Sequence, residues 1–291
     1  MTVTIKDLAQ MARTSTATVS RVLSNKPGVA EETRRNILQL ADRLGYSPNR
    51  IAKNLALKKS HVLGFIAADL RNFVYVDFFR RIQASANEIG YQVLIADSEL
   101  DTDKEKYNID VMREHRAEGL VVFPVCDWDV NSNMEHFLQL KLQKFPFVLV
   151  GKVENYGFDY VISEELETAK KMAQRLIELG HRDIGFVGTS ETNRCIMERL
   201  VGVESAVKEA GLQMKEEHKI SFEDGWEEHL EQLLESPERP TALVFVNDTV
   251  ALMSQPILAK TKLRVPQDLS VVTFGDNVWS SYMIPPLSTT H

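Results

Sequence analysis

From Val62 onward the sequence alternates short apolar runs with amphipathic stretches, and that rhythm leaves few folds open. The runs are VLGFIAAD, YQVLIADS, GLVVFPV, FPFVLVGK, DYVIS, DIGFVGT, ALVFVND and LSVVTFGD. Each is almost continuously apolar. That is the pattern of a strand covered on both faces in a parallel sheet, not of a strand with one wet face. Between them lie segments with helical spacing: Val76 to Ile89, Lys104 to His115, Met134 to Leu142, Leu166 to Leu179, Ile196 to Ala210, Trp226 to Leu234 and Thr249 to Leu258. Repeated strand–helix–strand units predict an open α/β sheet. Polar groups close several of the runs, at Asp69, Asp97-Ser98, Gly151-Lys152, Asn247-Asp248 and Asp276-Asn277. Ligands in open α/β sheets bind beyond the carboxyl ends of the strands, so the body is expected to hold a small molecule.

The first sixty residues are of another kind. Residues 1–60 carry eleven Lys and Arg against four Asp and Glu, a balance of +7, while the rest carries 23 against 37, a balance of −14. A basic head on an acidic body predicts that only the head meets a polyanion. Ile5, Leu8, Ala9 and Ala12 have helical spacing, as do Val19, Val22 and Leu23, for which either Ser15 or Thr16 can serve as cap. A third segment, Glu31 to Leu44, puts Ile37, Leu38, Ala41 and Leu44 on one face and stops at Gly45. Only RTS separates the first two segments, as in a helix-turn-helix closed by a third helix. With Val19, Val22 and Leu23 turned inward, Thr16, Ala17, Ser20 and Arg21 form the outer face. Short side chains let such a helix sink into a major groove, and Arg21 is long enough to make two hydrogen bonds to a guanine edge. Hydroxyls and a helix amino terminus suit phosphate oxygens. On spacing alone, an ordinary amphipathic helix remains an equal alternative.

YSPNRIAKNLALKKS follows, Tyr46 to Ser60. Ser47-Pro48 can open a helix, and Ile51, Ala52, Leu55 and Ala56 repeat at three and four. A helix this short is marginal alone in water, so its form is expected to depend on a partner; the alternative is a flexible tether.

Other classes find little support. No run approaches the roughly 18 apolar residues of a membrane span, and MTVTIKDLAQMART lacks the apolar stretch of a signal peptide. Cys126 and Cys195 stand far apart and form no CxxC pair, which suits a reducing cytoplasm. GxGxxG after the first strand, GxxxxGK[ST], GxSxG and HExxH are all missing, and the seven histidines show no metal-ligand spacing. No enzyme, cofactor or metal is therefore expected.

Together these features resemble the LacI/GalR family of bacterial transcription regulators. TIKDLAQMARTSTATVSRVLSNKPGVAEETRRNILQLADRLGYSPNRIAKNLA follows that family's amino-terminal pattern nearly position for position. GHRDIGFVG, RPTALVFVNDTVAL and LRVPQDLSVVTFGDN match motifs of its body, so the likeness runs along essentially the whole chain. The resemblance implies a helix-turn-helix domain over 1–47, a hinge helix and linker over 48–61, and a periplasmic-binding-protein-like body of parallel α/β sheets. The N-lobe of that body would cover 62–158 and the C-lobe 159–291. It implies a sequence-specific DNA-binding transcription regulator, more commonly a repressor, in the cytoplasm and apart from any membrane. The regulator would be a homodimer on a pseudo-palindromic operator, controlled by a sugar, sugar acid or sugar phosphate.

By position, Thr16, Ala17 and Arg21 would read bases, and Thr4, Ser15, Thr18, Ser20 and Asn25 would contact phosphates. Leu55 would be wedged into a central minor-groove step with Lys53 beside it, in a pair of hinge helices from two subunits. Phe73 and Tyr75 in the stretch Asn72 to Tyr75, with Ser98, Lys152, Arg194, Phe222, Asn247, Asp248 and Asp276, would line the effector cleft. The ligand would favour one lobe arrangement and so set the spacing of the two Leu55 helices.

Departures from the pattern carry expectations of their own. Arg13-Thr14 stands where the family has Gly-Val in the turn, a place that favours a left-handed backbone. Ser163 and Gly275 stand where many members have aspartate, and Asp276 is the expected substitute for the second. Lys152 in the cleft would favour an acidic or phosphorylated ligand. Members of the family continue past the position of His291. The C-lobe is therefore expected to be incomplete, and the 291-residue chain poorly stable when made alone.

Overall fold

The computed structural model describes residues 3–46, 59–125, 134–151, 153, 156–189, 193–222 and 225–290. They fall in two compact units, Met1–His61 and Val62–His291.

In the first unit, α1 (Ile5–Met11), α2 (Thr16–Leu23) and α3 (Glu31–Arg43) surround Leu8, Ala9, Val19, Val22, Ile37 and Ala41. Thr4 opens α1 through a capping box: its hydroxyl accepts from the Asp7 N–H, and the Asp7 carboxylate accepts from the Thr4 N–H at 2.9 Å. Ser15 is the cap of α2, accepting from the Thr18 N–H at 3.1 Å. The inner stripe of α3 runs Ile37, Leu40, Ala41, Leu44. Leu38, expected on that face, is 47% exposed, because one residue past Ile37 turns it about 100° around the helix.

Arg13, in the turn between α1 and α2, has φ of 49°. The left-handed region costs a non-glycine residue roughly 1 kcal/mol or somewhat more, and the greater freedom of an unfolded glycine takes back about half of that. Arg13→Gly is therefore expected to stabilise the three-helix unit by no more than about 1 kcal/mol. A slightly higher denaturation midpoint would show it. A lower one would mean that the Arg13 side chain offsets its own backbone.

The second unit holds two sheets. β1 (Val62–Ala67), β2 (Gln92–Asp97), β3 (Leu120–Val122), β4 (Phe147–Val150) and β5 (Tyr160–Val161) lie in the order β2-β1-β3-β4-β5. β6 (Ile184–Thr189), β7 (Lys219–Ser221), β8 (Ala242–Phe245), β9 (Ser270–Phe274) and β10 (Ser288–Thr290) lie in the order β7-β6-β8-β9-β10. Every pairing is parallel, so the second lobe repeats the strand order of the first. The crossovers in the first lobe are α4 (Phe73–Glu88), α5 (Thr102–Glu114) and α6 (Glu135–Leu142), and α7 (Glu165–Glu178) leads into the second. There α8 (Arg194–Glu209), α9 (Trp226–Glu235), α10 (Asp248–Met253) and α11 (Gln255–Lys260) connect the strands.

Alternation along β1 feeds two cores: Ile66 packs with Ile109, Phe137 and Leu149, while Phe65 and Ala67 pack with Ala86, Val93 and Phe123. In the second lobe Phe186, Phe245 and Phe274 are buried together with Leu230 and Trp226. α7 and α8 cross on small residues. A Cβ added at Gly202 would lie 2.3 Å from the Leu166 carbonyl oxygen and 2.7 Å from the Ala169 Cβ.

Four features differ from the sequence reading. β7 and β10 have three residues each and too little apolar content to stand out as runs. β2 was read as covered on both faces, yet Leu94 and Ile95 are 37% and 41% exposed, since β2 is an edge strand with β1 as its neighbour. The expected helix from Thr249 to Leu258 is two helices. Pro256 lacks an N–H and opposes the carbonyl four residues back, so the chain breaks at Ser254, whose hydroxyl donates to the Ala251 carbonyl at 2.7 Å. Finally, β5 pairs with β4, so the first sheet runs past the expected lobe boundary at residue 158.

Candidate functional site

In the first unit, Thr16, Ala17, Ser20 and Arg21 are all exposed along α2, opposite the buried Val19 and Val22. Their short side chains leave the helix backbone approachable, with Arg21 as the one long donor among the four. Thr4 and Ser15 are exposed and cap α1 and α2, while Thr18 is half-buried with its hydroxyl 2.9 Å from that of Ser15. Asn25 has φ of 51°, and its side-chain carbonyl accepts from Arg34 at 3.1 Å, so only its amide NH₂ is left to offer an outside oxygen. Lys53, Leu55 and the hinge segment lie outside the described residues.

In the second unit, a cavity of about 220 Å³ opens where the carboxyl ends of both sheets face each other. Its lining follows β1, β3 and β4 on one side and β6, β8 and β9 on the other, next to the points where strand order reverses in each sheet. The first lobe supplies an aromatic wall. The Tyr75 and Phe78 rings stand edge-on to Phe123, with centroids 4.8 Å and 5.0 Å away. Three asparagines in the lining are helix caps: Asn72 for α4, Asn193 for α8 and Asn247 for α10. Each spends its side-chain oxygen on a backbone N–H, at 3.1, 3.1 and 2.8 Å, which leaves the amide NH₂ for other partners.

The second lobe supplies the charges. Arg199 donates from Nε to Glu165 at 2.6 Å and from Nη1 to the Val246 carbonyl at 2.6 Å, and its guanidinium lies 4.5 Å from the centre of the Phe274 ring. Burial works against both charges. In Glu165 the neighbouring guanidinium, helped by donors from Ser163 and Cys195, outweighs burial and holds the carboxyl below its ordinary value. Arg199 is pushed down by burial but held up further by Cys195, Glu165 and Asp248, and stays charged. Arg194 pairs with Glu198 at 2.8 Å. Asp248 is buried and its pKa is raised by that burial, against hydrogen bonds from the Asn277 N–H at 3.1 Å and from Thr249.

Of the residues named from sequence, Tyr75, Arg194, Asn247 and Asp248 line the cavity together. Phe73 lies outside the lining and instead meets Trp279 of the second lobe, ring centres 6.2 Å apart. Ser98 is fully buried beyond the end of β2 and does not reach the lining. Phe222 packs on Trp226 at 5.1 Å, also outside it. Asp276 lies outside the lining, one residue past Gly275, and accepts from the Thr289 hydroxyl of β10 at 3.2 Å. Lys152 is outside the described residues. Phe78, Phe123, Glu165, Cys195, Glu198 and Arg199 belong to the lining and were not singled out from the sequence. One signal was available for Arg199. The apolar stripe of α8 at Gly202, Val203, Ala206 and Val207 extends back onto it, and a charge on such a face marks a partner or a site.

His181 is a structural tie, its two ring nitrogens 2.9 Å from the Thr241 hydroxyl and 3.0 Å from that of Ser270. Among the described residues no group of His, Cys, Asp and Glu is arranged to hold a metal ion, and no helix is long and apolar enough to cross a membrane.

Known proteins of the same shape and sequence agree with this plan. Residues 4–49 match the bacterial regulatory proteins of the lacI family, and residues 173–291 match the periplasmic binding protein-like domain. Catabolite control protein A of Priestia megaterium is 33% identical over 295 aligned positions, spanning 100% of this chain and 87% of that protein. The HTH-type transcriptional repressor PurR of Aliivibrio salmonicida is 30% identical, spanning 99% of this chain and 86% of its own length. The crystal structure of the lac repressor dimer bound to operator and the anti-inducer ONPF superposes with a TM-score of 0.83 at 24% identity, over 99% of this chain and 87% of that one. With a relative a third identical along its whole length, the chain belongs to the lacI family of bacterial regulatory proteins, which are DNA-binding transcriptional regulators and not enzymes.

Proposed function

We propose that this regulator is a cytoplasmic repressor that binds a pseudo-palindromic operator as a homodimer and responds to a sugar or sugar derivative held in the cleft of its body. The observation that carries the reading is the exposed row Thr16, Ala17, Ser20 and Arg21 on a capped helix of a basic three-helix unit, in a chain whose second unit encloses a ligand-sized cavity. In this reading α2 enters the major groove. Thr16, Ala17 and Arg21 meet base edges, and Thr4, Ser15, Thr18, Ser20 and Asn25 meet phosphates. Leu55, with Lys53, opens a minor-groove step between paired subunits. The names of relatives support repression, and the lac repressor was captured as a dimer on its operator. Exposed apolar groups on the edge strand β2 (Leu94, Ile95), and Tyr282 and Ile284 in the second lobe, suit covering by a second copy.

Band-shift titration at two salt concentrations, on selected palindromic and on random duplexes, tests this. Salt-sensitive binding that prefers a palindrome is expected. Arg21→Ala should weaken specific binding by about 1–3 kcal/mol and relax one base position in each half-site, leaving nonspecific binding much less affected. Equal losses on both kinds of DNA would remove Arg21 from base reading.

A further inference from the structure

The charges on the described lining residues do not match an acidic ligand. Among the described lining residues there are three carboxylates, on Glu165, Glu198 and Asp248, against two guanidinium groups, on Arg194 and Arg199. Both guanidinium groups are already engaged by a carboxylate, at 2.8 Å and 2.6 Å. The places where a helix amino terminus would welcome an anion are partly filled by the chain itself: Glu165 is the first residue of α7 and Asp248 the first of α10. An entering carboxylate or phosphate would have to displace one of these partners or sit against surplus negative charge.

Asp248 is the carboxylate left over. It accepts hydrogen bonds from Asn277 and Thr249 and lies in the field of Arg199, but among the described residues no cation is within ion-pair distance of it. Gly275 keeps the space above it clear, since a Cβ there would lie 3.0 Å from Asp248 Oδ2 and 3.3 Å from its Cγ. Across the cavity stand Tyr75, Phe78 and Phe123, whose ring faces attract cations and cover the carbon face of a sugar ring equally well. The amide NH₂ groups of Asn72, Asn193 and Asn247 suit ligand hydroxyl oxygens.

We propose that the cleft selects a hydroxylated ring bearing a protonated amine, an amino sugar in chemical class, with Asp248 as the charge partner of the amine and the aromatic wall beside it. The proposal rests on the reading of this cavity as the effector site. It stands against the expectation of an acidic ligand drawn from Lys152, which lies outside the described residues.

The test uses the full chain and matched triples on one ring: glucosamine, glucose and glucuronate, then galactosamine, galactose and galacturonate. Calorimetry reads affinity, and site-resolved mass spectrometry reads the alkylation rate of Cys195, whose side chain belongs to the cavity lining. In at least one triple the amine should bind at least about tenfold tighter than the alcohol, with the acid weakest, and should slow Cys195 alkylation. Asp248→Asn should collapse the amine-to-alcohol ratio towards one. Phe78→Leu, at a ring 38% exposed and so tolerant of change, should reduce that ratio and gives a second reading if the first variant folds poorly. Tightest binding of an acid, lost in Lys152→Met, would overturn the proposal while leaving the cleft as the effector site. Binding that neither protects Cys195 nor responds to Asp248→Asn would overturn the cleft reading itself. No binding across both triples would overturn the amino-sugar class.

Discussion

Gly202→Val is expected to cost the second unit about 3 kcal/mol or more, among the largest losses any single substitution on α8 should cause. The reason is the kind of atom in the way. At the crossing of α7 and α8, a side chain at 202 would first meet the Leu166 carbonyl oxygen, at 2.3 Å from an added Cβ, and then the Ala169 Cβ at 2.7 Å. A flexible side chain can rotate aside, but a backbone oxygen in a helix moves only with its helix. The Lys170 N–H lies 3.1 Å from the same Cβ, so the two backbones are effectively in contact there. Gly202→Ala should already destabilise, even though alanine is favoured over glycine by about 1 kcal/mol inside a helix. Valine adds two methyl groups to the same clash and prefers helix less than alanine does. The damage should also reach the cleft, because Leu166 follows Glu165 in the chain and Glu165 holds Arg199. Denaturant unfolding of the three proteins should give the order glycine, alanine, valine in falling stability. A valine variant as stable as the parent would mean that α7 and α8 part without resistance.

The sequence read well wherever one residue pattern determined one structural outcome. Eight apolar runs became strands, and in the central ones the reason is that a parallel strand covered on both faces must be apolar nearly throughout, whereas β2 and β5 at the edges leave Leu94, Ile95, Tyr160 and Val161 exposed. The three head helices followed from Leu8, Val19, Val22 and Ile37 at helical spacing, with Ser15 ready as a cap. Reading failed where the outcome depended on neighbours. Nothing in the composition of β2 distinguishes an edge strand from a central one, so the exposure of Leu94 and Ile95 appears only once the sheet order is known. β7 and β10 are strands by virtue of what they pair with, and their few residues carry no period. Pro256, by contrast, was a local signal in plain view, and it marked the break in the last long helix.

The cleft divides in the same way. Asn247 and Asp248 directly follow β8, and Arg194 and Tyr75 open the helices that follow β6 and β1, where the α/β plan itself puts ligands. Phe78 and Arg199 start one or two turns into their helices. They come back to the mouth because helical side chains lean towards the amino terminus. Glu165 was hidden for another reason. Its partner lies 34 residues away, and no spacing rule joins a first helical position to a buried arginine in the next crossover.

Glu165→Gln is expected to destabilise the second unit by about 3 kcal/mol at neutral pH, and the loss should fade in acid. The Arg199 and Glu165 side chains are 16% and 12% exposed, so their attraction is poorly screened and the desolvation of each is offset chiefly by the other. Glutamine keeps the shape and a hydrogen-bond acceptor but removes the anion. Arg199 would then rely on the Val246 carbonyl, the Phe274 ring and the more distant field of Asp248. The pH dependence has a definite sign. Burial pushes the Glu165 carboxyl up, the charge and hydrogen bond of Arg199 pull it down further, and the folded value ends below the ordinary 4.5. A carboxyl depressed by folding contributes stability that is fully present above its unfolded pKa and is lost as the pH falls through the folded value. The gap between parent and variant should therefore stay level from pH 7 to about 5 and close below that. Asp248, whose pKa is raised by burial, also acts on Arg199, so the same comparison in an Asp248→Asn background separates its share. Denaturant unfolding of the pair at steps between pH 7 and pH 3 measures the gap directly. A gap that widens in acid would mean that Glu165 is protonated in the folded protein at neutral pH. The interaction with Arg199 would then be a hydrogen bond to an uncharged carboxyl, and the guanidinium would owe its place in the cleft to Val246, Phe274 and the field of Asp248.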